Sequence, residues 1–98
     1  MKDILSTIDP DSGYVAYMLE CADGTLYTGS TNNIHQRIHL HNTSAKGAKY
    51  TRVRRPVHLV YLLKCTNISH ARKEEARLKR LTRAEKLTHI ASVTQQEK

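Results

Sequence analysis

A small α/β (α+β) domain, a three-stranded antiparallel sheet flanked by helices in the order ββαβαα, is the fold class that three features of the sequence predict. Two β-favouring runs, YVAYMLEC and TLYTGS, are separated only by Ala22, Asp23 and Gly24, and an Asp-Gly pair between such runs is a strong hairpin signal. A helical pattern with Ile34 and Ile38 one turn apart follows the second run directly. A third apolar run, VHLVYLLKC, begins behind Pro56 and is succeeded by two more helical stretches.

A chain of 98 residues holds one domain and one modest core. Residues 1–13 carry Pro10 and Gly13 among Asp and Ser, which predicts a loosely held leader, and the domain is expected over 14–93 with a flexible tail at 94–98. After the hairpin, Thr31 and Asn32 are placed to cap a helix of about three turns by accepting bonds from its free amides. The run from Val57 to Cys65 mixes Val57, Leu59, Tyr61 and Leu63 with Val60 and Leu62, as expected for a strand buried on both faces. A helix from Ser69 to about Leu81 follows. Thr82 and Glu85 then form a capping-box pair for a last helix.

Charge is unevenly distributed. Residues 1–45 hold two bases against five acids, whereas Lys46 to Lys86 hold thirteen bases against three acids. Such a segment suits a surface that lies against a polyanion, nucleic acid first; the alternative is ordinary solvated helix charge. Cys21 and Cys65 sit in apolar runs without zinc spacing and are expected to be reduced core residues with no disulfide-linked partner. With no apolar run of membrane-spanning length and an acidic start, a cytoplasmic protein and a monomer are expected.

Helical phase singles out the polar residues after TLYTGS. At 100° per residue from Ile34, Ile38 falls at about +40°, His41 at about −20° and Arg37 at about −60°, so both polar residues share the stripe facing the sheet. A guanidinium fork beside an imidazole suits a phosphate; a structural Arg37 fixed by Asp23 or Glu20 is the alternative. Tyr17 and Tyr27 share a face if the hairpin register is tight, for packing or for chemistry. His35 and His39 have i,i+4 spacing, yet two ligands without a third make a weak metal site. Of the paired carboxylates Glu74 and Glu75, one could hold magnesium, or both could pair with neighbouring bases; phase puts Glu74 nearer the apolar stripe.

In this order the residues resemble the GIY-YIG nuclease superfamily, and more closely its small stand-alone UPF0213 members. The first motif falls on Val15-Ala16-Tyr17 and the second on Tyr27-Thr28-Gly29, with a ten-residue step from one tyrosine to the other. Arg37 and His41 match the arginine and the downstream His or Tyr; KGAKYTRVRRPVHLVY matches the segment typical of the stand-alone group, and EARLKRLTRAEK its acidic helix. The resemblance spans Tyr14 to Lys86 and places the metal-binding glutamate at Glu75, against the phase preference.

What the resemblance implies is a metal-dependent endonuclease that hydrolyses DNA phosphodiester bonds, with Mg2+ (or Mn2+) on Glu75. Tyr27 or His41 would take a proton from water, Arg37 would stabilise phosphate charge, and Tyr17 would position water or phosphate. Lys46, Lys49, Arg52, Arg54 and Arg55 would contact the DNA backbone with little base reading, and Tyr50 could stack on an unpaired base, which suits single-stranded or branched DNA, RNA being the open alternative. Ser30 stands where excision-repair relatives carry a lysine, and no asparagine follows Glu75. These departures motivate two other readings, a non-catalytic nucleic-acid-binding module on the same fold and a protein-interaction adaptor.

Overall fold

The computed structural model describes residues 2–44 and 48–96. Strands β1 (Val15–Glu20) and β2 (Leu26–Thr31) form the expected hairpin. Its turn is held by the Gly24 amide donating to the Cys21 carbonyl and by Asp23, whose carboxylate accepts from the Thr25 amide and hydroxyl. Gly24 has φ of +82°, a region open to glycine and strained for other residues. Strand β3 (His58–Lys64) pairs antiparallel on the other side of β1, so the order is β2-β1-β3 and β1 is central. That position explains why VAYML is apolar without alternation: all five residues are buried, because both faces of the sheet are covered.

One face carries Val15, Tyr17 and Leu19 against Ile34 and Ile38 of α1 (Ile34–Thr43). The other carries Ala16 and Met18 against Leu78 of α3 (Ile68–Lys79) and Ile90 of α4 (Arg83–Gln96). Alternation along β1 therefore assigns α1 to one layer and the last two helices to the other. Between α1 and β3 lies a four-residue helix not foreseen from the sequence, α2 (Lys49–Arg52). The Asn42 side chain clamps Val57 through two hydrogen bonds to its backbone, tying the end of α1 to the start of β3.

Several boundaries differ from expectation. Helix α1 is capped by Asn33, whose side chain accepts from the Gln36 amide, because Thr31 is consumed by strand pairing. Helix α3 begins one residue before Ser69 and is capped by Asn67. The Thr82–Glu85 capping box is present in both directions, at 2.9 and 3.2 Å. Helix α4 runs through Gln96, so residues 94–96 continue it; 97 and 98 lie outside the described residues.

The leader is also corrected. Ile4 is 2% exposed within the first core cluster, Leu5 and Ile8 pack beside it, and the Ile4 amide donates to the Leu59 carbonyl. His35 donates from Nε2 to the Ile8 carbonyl at 2.7 Å. Burying one such aliphatic side chain contributes roughly 1.5–3 kcal/mol, enough to hold a short segment down.

Both cysteines are free, and burial pushes both thiols up, so they stay protonated. Among the described residues no helix is long and apolar enough to cross a membrane.

Candidate active site

Strand register sets the first two residues. Tyr17 lies opposite Gly29 and Leu19 opposite Tyr27, so both tyrosines and the glycine face α1. The Tyr17 ring crosses directly over Gly29: a Cβ at that position would stand 2.6 Å from the Tyr17 hydroxyl. Glycine is required there by close approach, since no side chain fits under the ring.

The last turn of α1 brings in His41, fully buried. Its Nε2 is 3.0 Å from the Tyr17 hydroxyl and its Nδ1 is 2.7 Å from Thr51 Oγ1 on α2. Thr51 donates its single hydroxyl proton to the Ala48 carbonyl at 3.0 Å, so toward His41 it can only accept. The network therefore assigns the proton to Nδ1 and leaves the Nε2 lone pair to accept from Tyr17. Burial, then the nearby guanidiniums of Arg37 and Arg55, lower His41 to about 4, so the ring is neutral at pH 7. Burial also pushes the Tyr17 phenol well above its ordinary range, only partly opposed by a hydrogen bond from Arg37. Tyr17 is thus a protonated donor held between an imidazole and a guanidinium.

Tyr27 is partly exposed, with its ring edge-on to His41 at 5.2 Å. Tyr50 of α2 stacks on it at 6.1 Å and 28°, and the Arg54 guanidinium lies 3.9 Å above the Tyr50 ring. Arg54 is itself fixed by Asp23 at 3.1 Å and by the Tyr50 carbonyl at 2.9 Å. Asp23, weighed from the sequence as a partner for Arg37, is therefore engaged by Arg54.

From the opposite layer, Glu75 of α3 reaches β2. Ser30 donates to its Oε1 at 2.5 Å and Lys79 lies 2.7 Å from its Oε2. Burial raises this carboxyl, but the bonds from Lys79 and Ser30 and the charges of Lys79 and Arg72 outweigh it and hold Glu75 below the ordinary carboxylate range. Glu74 has the same 22% side-chain exposure yet stays on its own helix, paired with Arg77 at 2.6 Å. Burial does not separate the two carboxylates; the bond to the second-motif strand does. A hydroxyl from Ser30 and an ammonium from Lys79 thus share the Glu75 carboxylate.

The remaining sequence expectations divide. Lys49 and Arg52 are exposed on α2, and Tyr50 is 39% exposed. Arg55 is turned inward instead, donating to the carbonyls of His41, Ser44 and Leu40 at the end of α1, where a cation complements the helix terminus. Lys46 lies outside the described residues. No group of three His, Cys, Asp or Glu converges among the described residues, and His35 is occupied by the Ile8 carbonyl. Lys79 takes the i,i+4 pairing with Glu75 that the sequence offers as the alternative to a metal site; Thr51 was not anticipated, since a threonine ten residues after a histidine carries no signal of its own.

These residues surround one end of the sheet in the manner of a nuclease-like catalytic domain, and comparison with known families gives the same class: the family described as GIY-YIG catalytic domain matches residues 13–88. Similar proteins include the UPF0213 protein DP2720 of Desulfotalea psychrophila, 55% identical over 77 residues, covering 79% of this chain and 70% of that one. A UPF0213 protein of Syntrophus aciditrophicus is 54% identical over 74 residues, covering 76% and 85%. The solution structure of EF2693 from E. faecalis superposes with a TM-score of 0.59 at 37% identity, covering 89% of this chain and 92% of that one. That of the UPF0213 protein BH0048 from Bacillus halodurans gives 0.51 at 40% identity, covering 80% and 82%. The chain belongs to the GIY-YIG family, in its UPF0213 branch.

Proposed function

We propose that the protein is a metal-dependent endonuclease that hydrolyses DNA phosphodiester bonds, with single-stranded or branched DNA as substrate and little sequence preference. The observation that carries this reading is that Glu75 of α3 bonds to Ser30, the residue after the Gly29 that the Tyr17 ring covers, while Arg37 of α1 bonds to Tyr17 and Tyr27 of β2 stands edge-on to His41. Tyr27 is the partly exposed one of the two tyrosines, and we assign its phenolate, formed by losing the hydroxyl proton to solvent, to accept a proton from the attacking water. His41 has no exposed surface and acts through Tyr17, whose hydroxyl donates a hydrogen bond to its Nε2. Arg37, beside the Tyr17 hydroxyl, faces the phosphate and stabilises the charge that grows on its oxygens.

Glu75 fits a magnesium ion: it is a hard oxygen donor kept ionised, and magnesium commonly takes one or two carboxylates with waters and substrate phosphate completing its shell. When bound, the ion would polarise the phosphate and support the leaving oxygen. Lys49 and Arg52 on the outer face of α2 supply backbone contacts that carry no sequence information.

The test is cleavage of single-stranded, duplex and branched DNA with and without magnesium. Wild type should cut only with the metal, and Glu75→Gln and Arg37→Ala should each lose about 100-fold or more. Equal activity in all three proteins would sink the assignment. One observation favours the non-catalytic binding module: both Glu75 oxygens already have partners in Ser30 and Lys79. Salt-sensitive DNA binding without metal-dependent cutting would favour that reading.

A further inference from the structure

Apart from Tyr27 and Lys79, the residues of the cleft along the outer edge of β2 have no part in the chemistry above. It encloses about 250 Å³ and is bordered by Leu26, Tyr27, Thr28, Tyr50, Lys79 and Lys86. No acid lines it. Lys79 comes from the end of α3 and Lys86 from the first turn of α4, so two helices deliver ammonium groups to one small space. Lys79 is shared with Glu75, whereas Lys86 makes no ion pair among the described residues. Such a pair of cations calls for an anion.

Two further features narrow the ligand. Thr28 is 4% exposed, and its hydroxyl meets no hydrogen-bond partner among the described residues; a buried polar atom in that state is normally answered by a ligand or water. The bond from the Cys21 amide to the Thr25 carbonyl sets the phase of the hairpin ladder. Leu19–Tyr27 and Tyr17–Gly29 are then the mutually bonded pairs, and the backbone N–H and C=O groups of Leu26 and Thr28 point away from β1, toward the cleft. The stacked rings of Tyr27 and Tyr50 form the remaining wall, a surface that a planar base can extend. Anion, planar ring and polar edge together describe a nucleotide.

We propose that this cleft is a subsite for one unpaired nucleotide of the bound strand, with its phosphate between Lys79 and Lys86, its base against the tyrosine wall, and its polar edge on Thr28 and the rim of β2. The proposal rests on the nuclease reading only for what lies next door, the phosphate to be cut beside Tyr27. Occupation of the subsite needs no cleavage.

The experiment is a titration of 15N-labelled protein with thymidine 5′-monophosphate, inorganic phosphate and a short oligothymidylate, followed by backbone amide shifts. Residues Leu26 to Thr28, Tyr50 and Lys86 should move with the nucleotide, and the nucleotide should bind more tightly than phosphate. Lys86→Gln should weaken oligothymidylate binding about tenfold, and Thr28→Val, which removes the hydroxyl at nearly constant volume, should weaken it by about threefold with the fold retained in thermal melts. Lys64→Gln, on β3 away from the cleft, controls for loss of one positive charge. Shifts confined to other surfaces, equal affinity for phosphate and nucleotide, or Lys86→Gln behaving like Lys64→Gln would each overturn the subsite. If nucleotides bind in the cleft and wild type never cuts DNA, the nuclease reading falls and the subsite stands. If wild type cuts DNA and Lys86→Gln leaves KM unchanged, the subsite alone falls.

Discussion

Lowering the pH from 7.5 to 4.5 should destabilise the protein by about 2.5 kcal/mol through His41 alone. In the unfolded chain this imidazole titrates near 6.5; in the folded protein, burial and the charges of Arg37 and Arg55 bring it to about 4. Between those values the unfolded chain binds the extra proton and the native protein does not, so the contribution is complete above 6.5 and is lost as pH falls toward 4. Integrating over the interval with one pKa unit worth about 1.4 kcal/mol gives the figure above. The measurement is urea unfolding followed by far-UV circular dichroism, since the chain has no tryptophan, on wild type and His41→Gln across that range. Other groups titrate in both proteins, so the difference in slope isolates His41. Parallel curves, or an imidazole resonance titrating near 6.5 in the native protein, would refute the effect assigned to burial and to the two guanidiniums.

Gly29→Ala should cost about 1–3 kcal/mol in the same unfolding measurement, because its Cβ would collide with Tyr17 and displace the hydroxyl from His41. Arg55→Gln should lose about 1.5–3 kcal/mol as the carbonyls ending α1 lose their charged donor; it should also raise the His41 pKa, visible by NMR titration, because one of the two lowering charges is gone. Ile4→Ala should cost about 2–4 kcal/mol, whereas a leader detached from the domain would make it neutral.

Much of this architecture is legible in the amino-acid order. Asp23-Gly24 marks the hairpin, the phase of Ile34, Ile38 and His41 marks the inner stripe, and the ten-residue step from Tyr17 to Tyr27 places both rings on one face once strand partners alternate. What failed did so for definable reasons. Ile4, Leu5 and Ile8 are too few, among Asp and Pro, to display a period, so their burial was invisible. Thr31 and Asn32 can both cap a helix, but Thr31 belongs to the strand and the helix starts only at Ile34, which puts Asn33 at the cap. Phase ranked Glu74 above Glu75 because it measures distance from an apolar stripe, while the difference between them is a bond to Ser30 on another element. Arg55 reads as surface charge in a basic run, and composition cannot distinguish a cation aimed at a partner from one aimed at carbonyls of its own chain.

Helix α2 is only one turn long, and it faces two ways. Outward it displays Lys49 and Arg52; inward it extends Thr51 to the His41 ring. If a strand binds those two cations, as the proposed function has it, any shift of α2 that it causes would also move the acceptor of the imidazole proton. Surface and buried site share a single helical turn, with one residue between its two exposed cations facing inward.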